Sequence, residues 1–293
     1  MLSRRVRREL TALVAWGFWG LLVTLPVITG PSPPLLDSPS YLLMDPESGE
    51  VIYGRNIHAV RAPASITKVM TALLAMENGA PGDLVTISHR ADAEGGSSLG
   101  LCEGERIPLA DLTCAMMVRS GNDAAVAIAE HIAGNTQAFC RMMNRRADEL
   151  DMCDTHFTNP NGMPDDGHVS TAFDLALLAR EAMKHPEFRG WVSSKEAHFD
   201  RFGDREDVLF ETTNHLLDIF PLADGVKTGY TIAAGFCVVA TATYRGKTLL
   251  AVVLGCERNR QWPQCIALFD YGFTLYDPDY QAFRELYDRG AIF

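Results

Sequence analysis

Several signatures that reveal an enzyme's chemistry are missing from this sequence. No H-E-x-x-H occurs and the eight histidines are scattered, which excludes the helical two-histidine zinc site of a metalloprotease. His156, His168, His185, His198 and His215 therefore read as surface residues or ordinary hydrogen-bonding partners. No C-x-x-C pair occurs among the seven cysteines, and no zinc pattern can be built from their spacings. Neither a metal nor another cofactor is expected. Cations are in the minority: 26 Lys and Arg against 37 Asp and Glu give a formal charge of −11. Phosphate binding needs clustered cations, so nucleic acid is not an expected partner. There is no internal repeat and no low-complexity tract. The acidic pairs Asp148-Glu149 and Asp165-Asp166 read as solvated charges rather than a catalytic couple.

What the chain does have begins at its first residues. Arg4, Arg5, Arg7 and Arg8 precede an uncharged run from Leu10 to Leu36, strongly apolar as far as Ile28. A basic flank before an apolar run marks an export signal or a signal-anchor. No A-x-A-like cleavage site follows, and Pro31, Pro33 and Pro34 crowd the place where one would lie. Residues 1–34 are expected to be a signal peptide or N-terminal membrane anchor with its linker. The rest then lies outside the cytoplasm. An exported chain could pair six of its cysteines, but the apolar neighbours of Cys114, Cys237 and Cys256 point to buried free thiols.

The remainder divides by pattern. Tyr41–Met44 and Val51–Tyr53, separated by Asp45-Pro46-Glu47-Ser48-Gly49, predict a hairpin. Ile66, Val69, Met70, Leu73 and Leu74 recur at helical spacing up to Asn78-Gly79. Leu109–Ala133 is helical but broken at Ser120-Gly121-Asn122, and Phe139–Leu150 and Thr171–Met183 are two more helices, the second capped by Thr171. Gly235–Tyr244 and Thr248–Gly255 form a second hairpin around Arg245-Gly246-Lys247, and Gln264–Tyr276 closes as a helix. Both ends supply strands and the middle supplies helices. The predicted fold is α/β of the α+β kind: an antiparallel sheet built from both ends, flanked by N- and C-terminal helices, with a mostly helical inserted subdomain. A catalytic domain is expected over 35–276, with 277–293 as an acidic tail or short helix bearing Phe283, Leu286 and Tyr287.

Three short motifs stand in order: Ser65-Ile66-Thr67-Lys68, Ser120-Gly121-Asn122 and Lys227-Thr228-Gly229. A serine hydroxyl becomes a nucleophile when a neighbouring base takes its proton. Lys68 lies one helical turn after Ser65, so the two share a face. Lysine serves as a base only when burial or a nearby cation lowers its pKa, and Lys227 is such a cation. Ser120, at a helix break, can relay a proton, and Asn122 can fix Lys68 or hold a substrate amide. Lys227 and Thr228 offer a charge and a hydroxyl to a substrate carboxylate, and Gly229 lets a substrate lie against the strand.

The three motifs together are the signature of β-lactamases and penicillin-binding proteins. The chain resembles the serine D-alanyl-D-alanine carboxypeptidases, the low-molecular-mass penicillin-binding proteins. The likeness extends to Pro63–Thr71, Ser97–Leu101 with Gly104-Glu105, Ser120–Ala125, Phe157–Gly162, Thr213–Leu217 and Asp224–Thr231. It implies a β-lactamase/transpeptidase-like fold and a substrate partner, the peptidoglycan stem peptide ending in D-Ala-D-Ala, with β-lactams as inhibitors. It implies Ser65 as the acylated nucleophile, Lys68 as its base, Ser120 as proton shuttle and Asn122 as support. Lys227, Thr228 and Gly229 are implied as substrate-binding, with the backbone N–H groups of Ser65 and Tyr230 as the oxyanion hole. Arg260 is expected to meet the substrate carboxylate. Two departures stand out: Tyr230 occupies a position that is often histidine, and about 17 residues follow Tyr276, too few for the second β-rich domain and amphipathic anchor common in the family. A class A β-lactamase is disfavoured because Gly121 stands where those enzymes usually have Asp, and residues 155–175 contain no Glu. A D,D-endopeptidase of peptidoglycan cross-links would use the same residues, and a catalytically dead peptidoglycan-binding protein would have no need of them.

Overall fold

Strands from the first and last parts of the described chain meet in one antiparallel sheet. In the computed structural model the described residues are 30–199 and 208–290, so the basic and apolar N-terminal run lies outside them. Strands β1 (Ser40–Met44), β2 (Val51–Arg55), β7 (Ala223–Thr231), β8 (Gly235–Tyr244) and β9 (Lys247–Cys256) form a five-stranded sheet in the order β2-β1-β9-β8-β7. Leu42 of β1 pairs with Val252 of β9, which joins the start of the domain to its end. The β8–β9 connection is Arg245-Gly246 with both φ positive, 47° and 81°. That is the backbone hand a tight hairpin needs, and glycine supplies half of it without strain.

Residues alternate across the sheet because successive side chains in a strand point to opposite faces. Leu250, Val252 and Leu254 enter the core under the helical layer, while Leu249, Ala251 and Val253 enter a second core on the other face. With both faces covered, β9 reads as an unbroken apolar run rather than an alternating one. The second core lies beneath helices α7 (Gln261–Tyr276) and α8 (Tyr280–Asp288) of the chain's end. Helix α8 realises the helical alternative for the tail: Tyr280 is buried and donates from its hydroxyl to Asp270 Oδ1 at 2.5 Å. Among the described residues no helix precedes β1.

Between β2 and β7 the chain is mostly helical. It contains α1 (Lys68–Asn78), α2 (Leu109–Arg119), α3 (Asn122–Ala133), α4 (Thr136–Glu149), α5 (Ala172–Ala182) and α6 (Pro186–Ser193). Small two-stranded ribbons, β3 (Leu84–Thr86) with β4 (Arg106–Pro108) and β5 (Glu196–Phe199) with β6 (Val208–Glu211), edge this region. Thr171 caps α5 by accepting from the Asp174 N–H at 3.1 Å, as its sequence position predicts. All seven cysteines are free thiols; Cys237 and Cys256 are buried and Cys114 is half-buried. No helix among the described residues is long and apolar enough to cross a membrane.

Candidate active site

The first motif departs from the plain helix start that the sequence predicts. Ala64–Thr67 forms one turn of 3-10 helix before α1, and Ala64 has φ +49°. A non-glycine residue in the left-handed region stores backbone strain, a common feature of positions that must aim a neighbour. Thr67 donates from its hydroxyl to the Ala64 carbonyl at 2.8 Å and contacts His168 Nε2 at 2.8 Å. The Thr158 N–H donates to His168 Nδ1 at 3.0 Å. Because Nδ1 accepts, Nε2 carries the ring proton and donates to Thr67. Burial pushes the His168 pKa down to about 4, which keeps this arrangement neutral. Gly162, at φ +83°, presses on the same turn: a β-carbon there would collide with the Ala64 carbonyl.

Lys68 is fully buried. Its Nζ lies 2.9 Å from Ser65 Oγ, 2.7 Å from Asn122 Oδ1 and 2.7 Å from the Asn161 carbonyl. The two amide oxygens can only accept. A neutral amine therefore gives them its two N–H bonds and turns its lone pair toward the Ser65 hydroxyl. Burial pushes the Lys68 amine well below the usual lysine range, and the Lys227 charge adds to it; Asp123 and Glu94 pull the other way. Lys227 is also buried, and burial lowers its pKa to about 7.

The second motif turns the chain between α2 and α3. Ser120 is left-handed, φ +70°, and buried, with its N–H bonded to the Met116 carbonyl at 2.9 Å. Gly121 has no room for a side chain, since a β-carbon would stand 2.6 Å from Leu99 Cγ and 2.8 Å from Asp123 Oδ1. Asp123, fully buried, gathers the preceding loop by accepting from Ser98 Oγ at 2.6 Å and from the N–H of Leu99 at 2.8 Å. Asn122 in turn donates to the Gly95 carbonyl at 2.7 Å, which fixes the amide that holds Lys68.

The third motif lies on β7, at the sheet edge beside Ser65. Thr228 Oγ1 is 3.0 Å from Thr213 Oγ1, and Tyr230 is half exposed with its ring on Phe236, centroids 4.3 Å apart. Ser65, Ser120, Thr228, Gly229 and Tyr230 line one cleft of about 330 Å³; Lys68, bonded to Ser65 Oγ, and Lys227, on β7, are both buried. Arg260 is not brought there. It points to solvent and pairs with Asp37 at 2.6 Å, whereas Arg258, two residues earlier, lines the cleft. The expectation on Arg260 rested on family resemblance and on its place after the predicted strand that ends at Gly255. Asn259, at φ +62°, turns the chain between the two arginines.

The model of the D-alanyl-D-alanine carboxypeptidase family matches residues 28–258. The chain belongs to this family. It is 36% identical over 250 residues to the D-alanyl-D-alanine carboxypeptidase DacF of Bacillus subtilis, covering 82% of this chain and 63% of that one. It is 33% identical to DacB2 of Mycobacterium tuberculosis, covering 83% and 86%. The chain thus spans about three fifths of the length of DacF and of the DacD relatives, the latter at 61% and 60%. Among solved structures, the DacD carboxypeptidase of Francisella tularensis superposes with a TM-score of 0.80 at 30% identity, over 88% of this chain and 76% of that one. A mutant of the Streptomyces K15 DD-transpeptidase superposes at 0.79 and 29%, over 83% of this chain and all of the other. The β-lactamase/transpeptidase-like fold expected from the three motifs is the fold observed.

Three parts of this carboxypeptidase-family site escape sequence reasoning. Asn161 reaches Lys68 through a backbone carbonyl, which no side-chain pattern encodes. His168 acts two steps from Ser65, through Thr67 and Ala64. Arg258 differs from Arg260 only by the path of the loop. Asp123 and the Phe157–Gly162 segment were visible as family likeness, but not as the buried anchor and the Lys68 contact they provide.

Proposed function

We propose that this protein is a serine D,D-carboxypeptidase that removes the terminal D-Ala from peptidoglycan stem pentapeptides and is acylated by penicillin. The observation that carries this reading is the fully buried Lys68, 2.9 Å from Ser65 Oγ and beside a second buried cation, Lys227. A lysine whose pKa burial and a neighbouring cation push well below its usual range is a competent general base for a serine.

In the proposed reaction, Lys68 takes the Ser65 proton as Oγ attacks the carbonyl of the penultimate D-Ala. The oxyanion forms against the backbone N–H groups of Ser65 and Tyr230. Ser120 passes the proton on to the leaving amine, and Asn122 keeps Lys68 aligned. Lys227, Thr228 and Arg258 attract the substrate's terminal carboxylate, and Gly229 leaves the strand edge free for the peptide. Water then attacks the acyl carbon and gives up a proton to the neutral Lys68, the ester bond to Ser65 breaks, and Lys68 passes that proton to Oγ.

Residues 1–34, with four arginines before an apolar run, are proposed to export the chain and to hold it at the outer face of the membrane if they are not removed. The domain from residue 35 onward is proposed to work there on the cell wall. The test is mass spectrometry of the protein after incubation with diacetyl-Lys-D-Ala-D-Ala, together with fluorescent penicillin labelling. Release of free D-Ala, and labelling that vanishes in Ser65→Ala, are expected. Absence of both in the wild type overturns the reading.

A further inference from the structure

Lys68 is held by two asparagines, and one short segment holds both of them. Asn122 accepts from Lys68 through Oδ1 at 2.7 Å and donates from Nδ2 to the Gly95 carbonyl at 2.7 Å. Asn161 accepts from Lys68 through its backbone carbonyl at 2.7 Å and donates from Nδ2 to Glu94 Oε1 at 2.8 Å. Glu94 and Gly95 are neighbours in the stretch between β3 and β4. Each orients one of the two asparagines whose oxygens fix the Lys68 amine. The hold from Gly95 is a backbone carbonyl, which every residue type owns. The hold from Glu94 is a side chain, and it is charged.

The rest of the Asn161 segment is tied by bonds that do not involve Glu94. Thr71 Oγ1 donates to the Pro160 carbonyl at 2.6 Å, and the Gly162 N–H donates to Asn159 Oδ1 at 2.7 Å. The Glu94 bond ends instead on the buried residue whose carbonyl touches Lys68. Charge adds a second effect. The charged groups that face Lys68 are Lys227 on β7, Asp123 on α3 and Glu94. Asp123 is already engaged by the Ser98 hydroxyl and the Leu99 N–H. We infer that Glu94 is a positioning residue for acylation: its carboxylate fixes Asn161, whose carbonyl orients the Lys68 amine, and its negative charge offsets the Lys227 cation at that base. In this role Glu94 touches no reacting atom and transfers no proton. An anion near an amine favours the ammonium form, so removing it lets Lys68 become a base at lower pH. Glu94 is half-buried, and solvent screens part of this effect.

This inference rests on the carboxypeptidase reading, and the experiment separates the two. Acylation by penicillin is followed by stopped flow across pH for the wild type, Glu94→Gln and Glu94→Ala. Glutamine keeps an acceptor oxygen for Asn161 and removes the charge; alanine removes both. In Glu94→Gln the ascending limb is expected to move down by about half a pH unit or more, with a maximal rate at least about half that of wild type. In Glu94→Ala the limb moves likewise, and the maximal rate is expected to fall about tenfold, the loss of one hydrogen bond. A limb that stays in place in Glu94→Gln overturns the inference. So does a maximal rate that Glu94→Ala leaves unchanged, or one that both variants lose equally, which would mark Glu94 as structural. A wild type that never acylates overturns the carboxypeptidase reading instead.

Discussion

The backbone nitrogen of Ser65 lies 3.0 Å from the point where a β-carbon on Gly229 would stand. Ala64 Cβ is equally close to that point. The third motif therefore seats directly on the nucleophile turn, and the two parts of the proposed oxyanion hole share one contact. Gly229→Ala is expected to push the turn aside by a few tenths of an ångström. The rate of penicillin acylation should fall at least about tenfold, because an oxyanion donor moved off its position loses much of its effect. The thermal midpoint should change little. Stopped-flow acylation and calorimetry on the same preparation check this, and unchanged acylation would refute it.

Lys227 gives the reaction a pH limb with a defined sign. Burial holds its pKa at about 7, so the free enzyme carries this charge below pH 7 and loses it above. Because kcat/KM reports the free enzyme, kcat/KM for D-Ala release is expected to descend through about pH 7. Lys68 acts neutral, and its lowered pKa supplies the ascending side. In Lys227→Arg the descending limb should move beyond about pH 10, since a guanidinium does not deprotonate in that range. A limb that stays in place in that variant would assign it to another group.

His168 should be visible in stability. Its folded-state pKa of about 4 lies below its ordinary 6.5, so between those values the unfolded chain binds a proton that the native protein does not. Stability therefore rises with pH across that window and is lost as pH falls through it. Urea unfolding from pH 4 to 7 should show this climb in the wild type and a flat profile in His168→Gln. His168→Phe removes the acceptor of the Thr158 N–H and the donor to Thr67 Oγ1, and should cost about 2 kcal/mol or more.

Arg258 and Arg260 are expected to separate cleanly. Arg258→Ala removes a cation that lines the cleft and is proposed to attract the substrate's carboxylate, and KM for the peptide should rise about tenfold, in line with one charge-assisted hydrogen bond. Arg260→Ala breaks only a solvent-exposed pair with Asp37, and KM should stay within about twofold. Steady-state kinetics with diacetyl-Lys-D-Ala-D-Ala decide it. The reverse result would restore Arg260 to the site.

Much of this architecture was legible residue by residue. The apolar spacing from Ile66 to Leu74 predicted α1, the break at Ser120-Gly121-Asn122 separated α2 from α3, and Thr171 marked the start of α5. Those signals are local, because periodicity, caps and turn residues act within a few positions. The strained turn at Ala64 was not legible. Its cause is the packing of Gly162 and the hydrogen-bond chain from His168, residues about a hundred positions away. Arg260 was misjudged for a related reason, since the positive φ of Asn259 redirects the chain just before it.

By itself, the sequence determined which chemical groups this protein owns and in what order: a serine with a lysine one turn later, a serine at a helix break, and a lysine-threonine-glycine strand. Spacing along one helix was enough to put Ser65 and Lys68 on a common face. Only the tertiary structure decided what those groups can do. Whether Lys68 is a base depends on its removal from water, on a second cation contributed by a strand 159 residues later, and on two carbonyl oxygens that leave its lone pair for Ser65. Protonation follows dielectric and neighbouring charge, and both are properties of the folded chain.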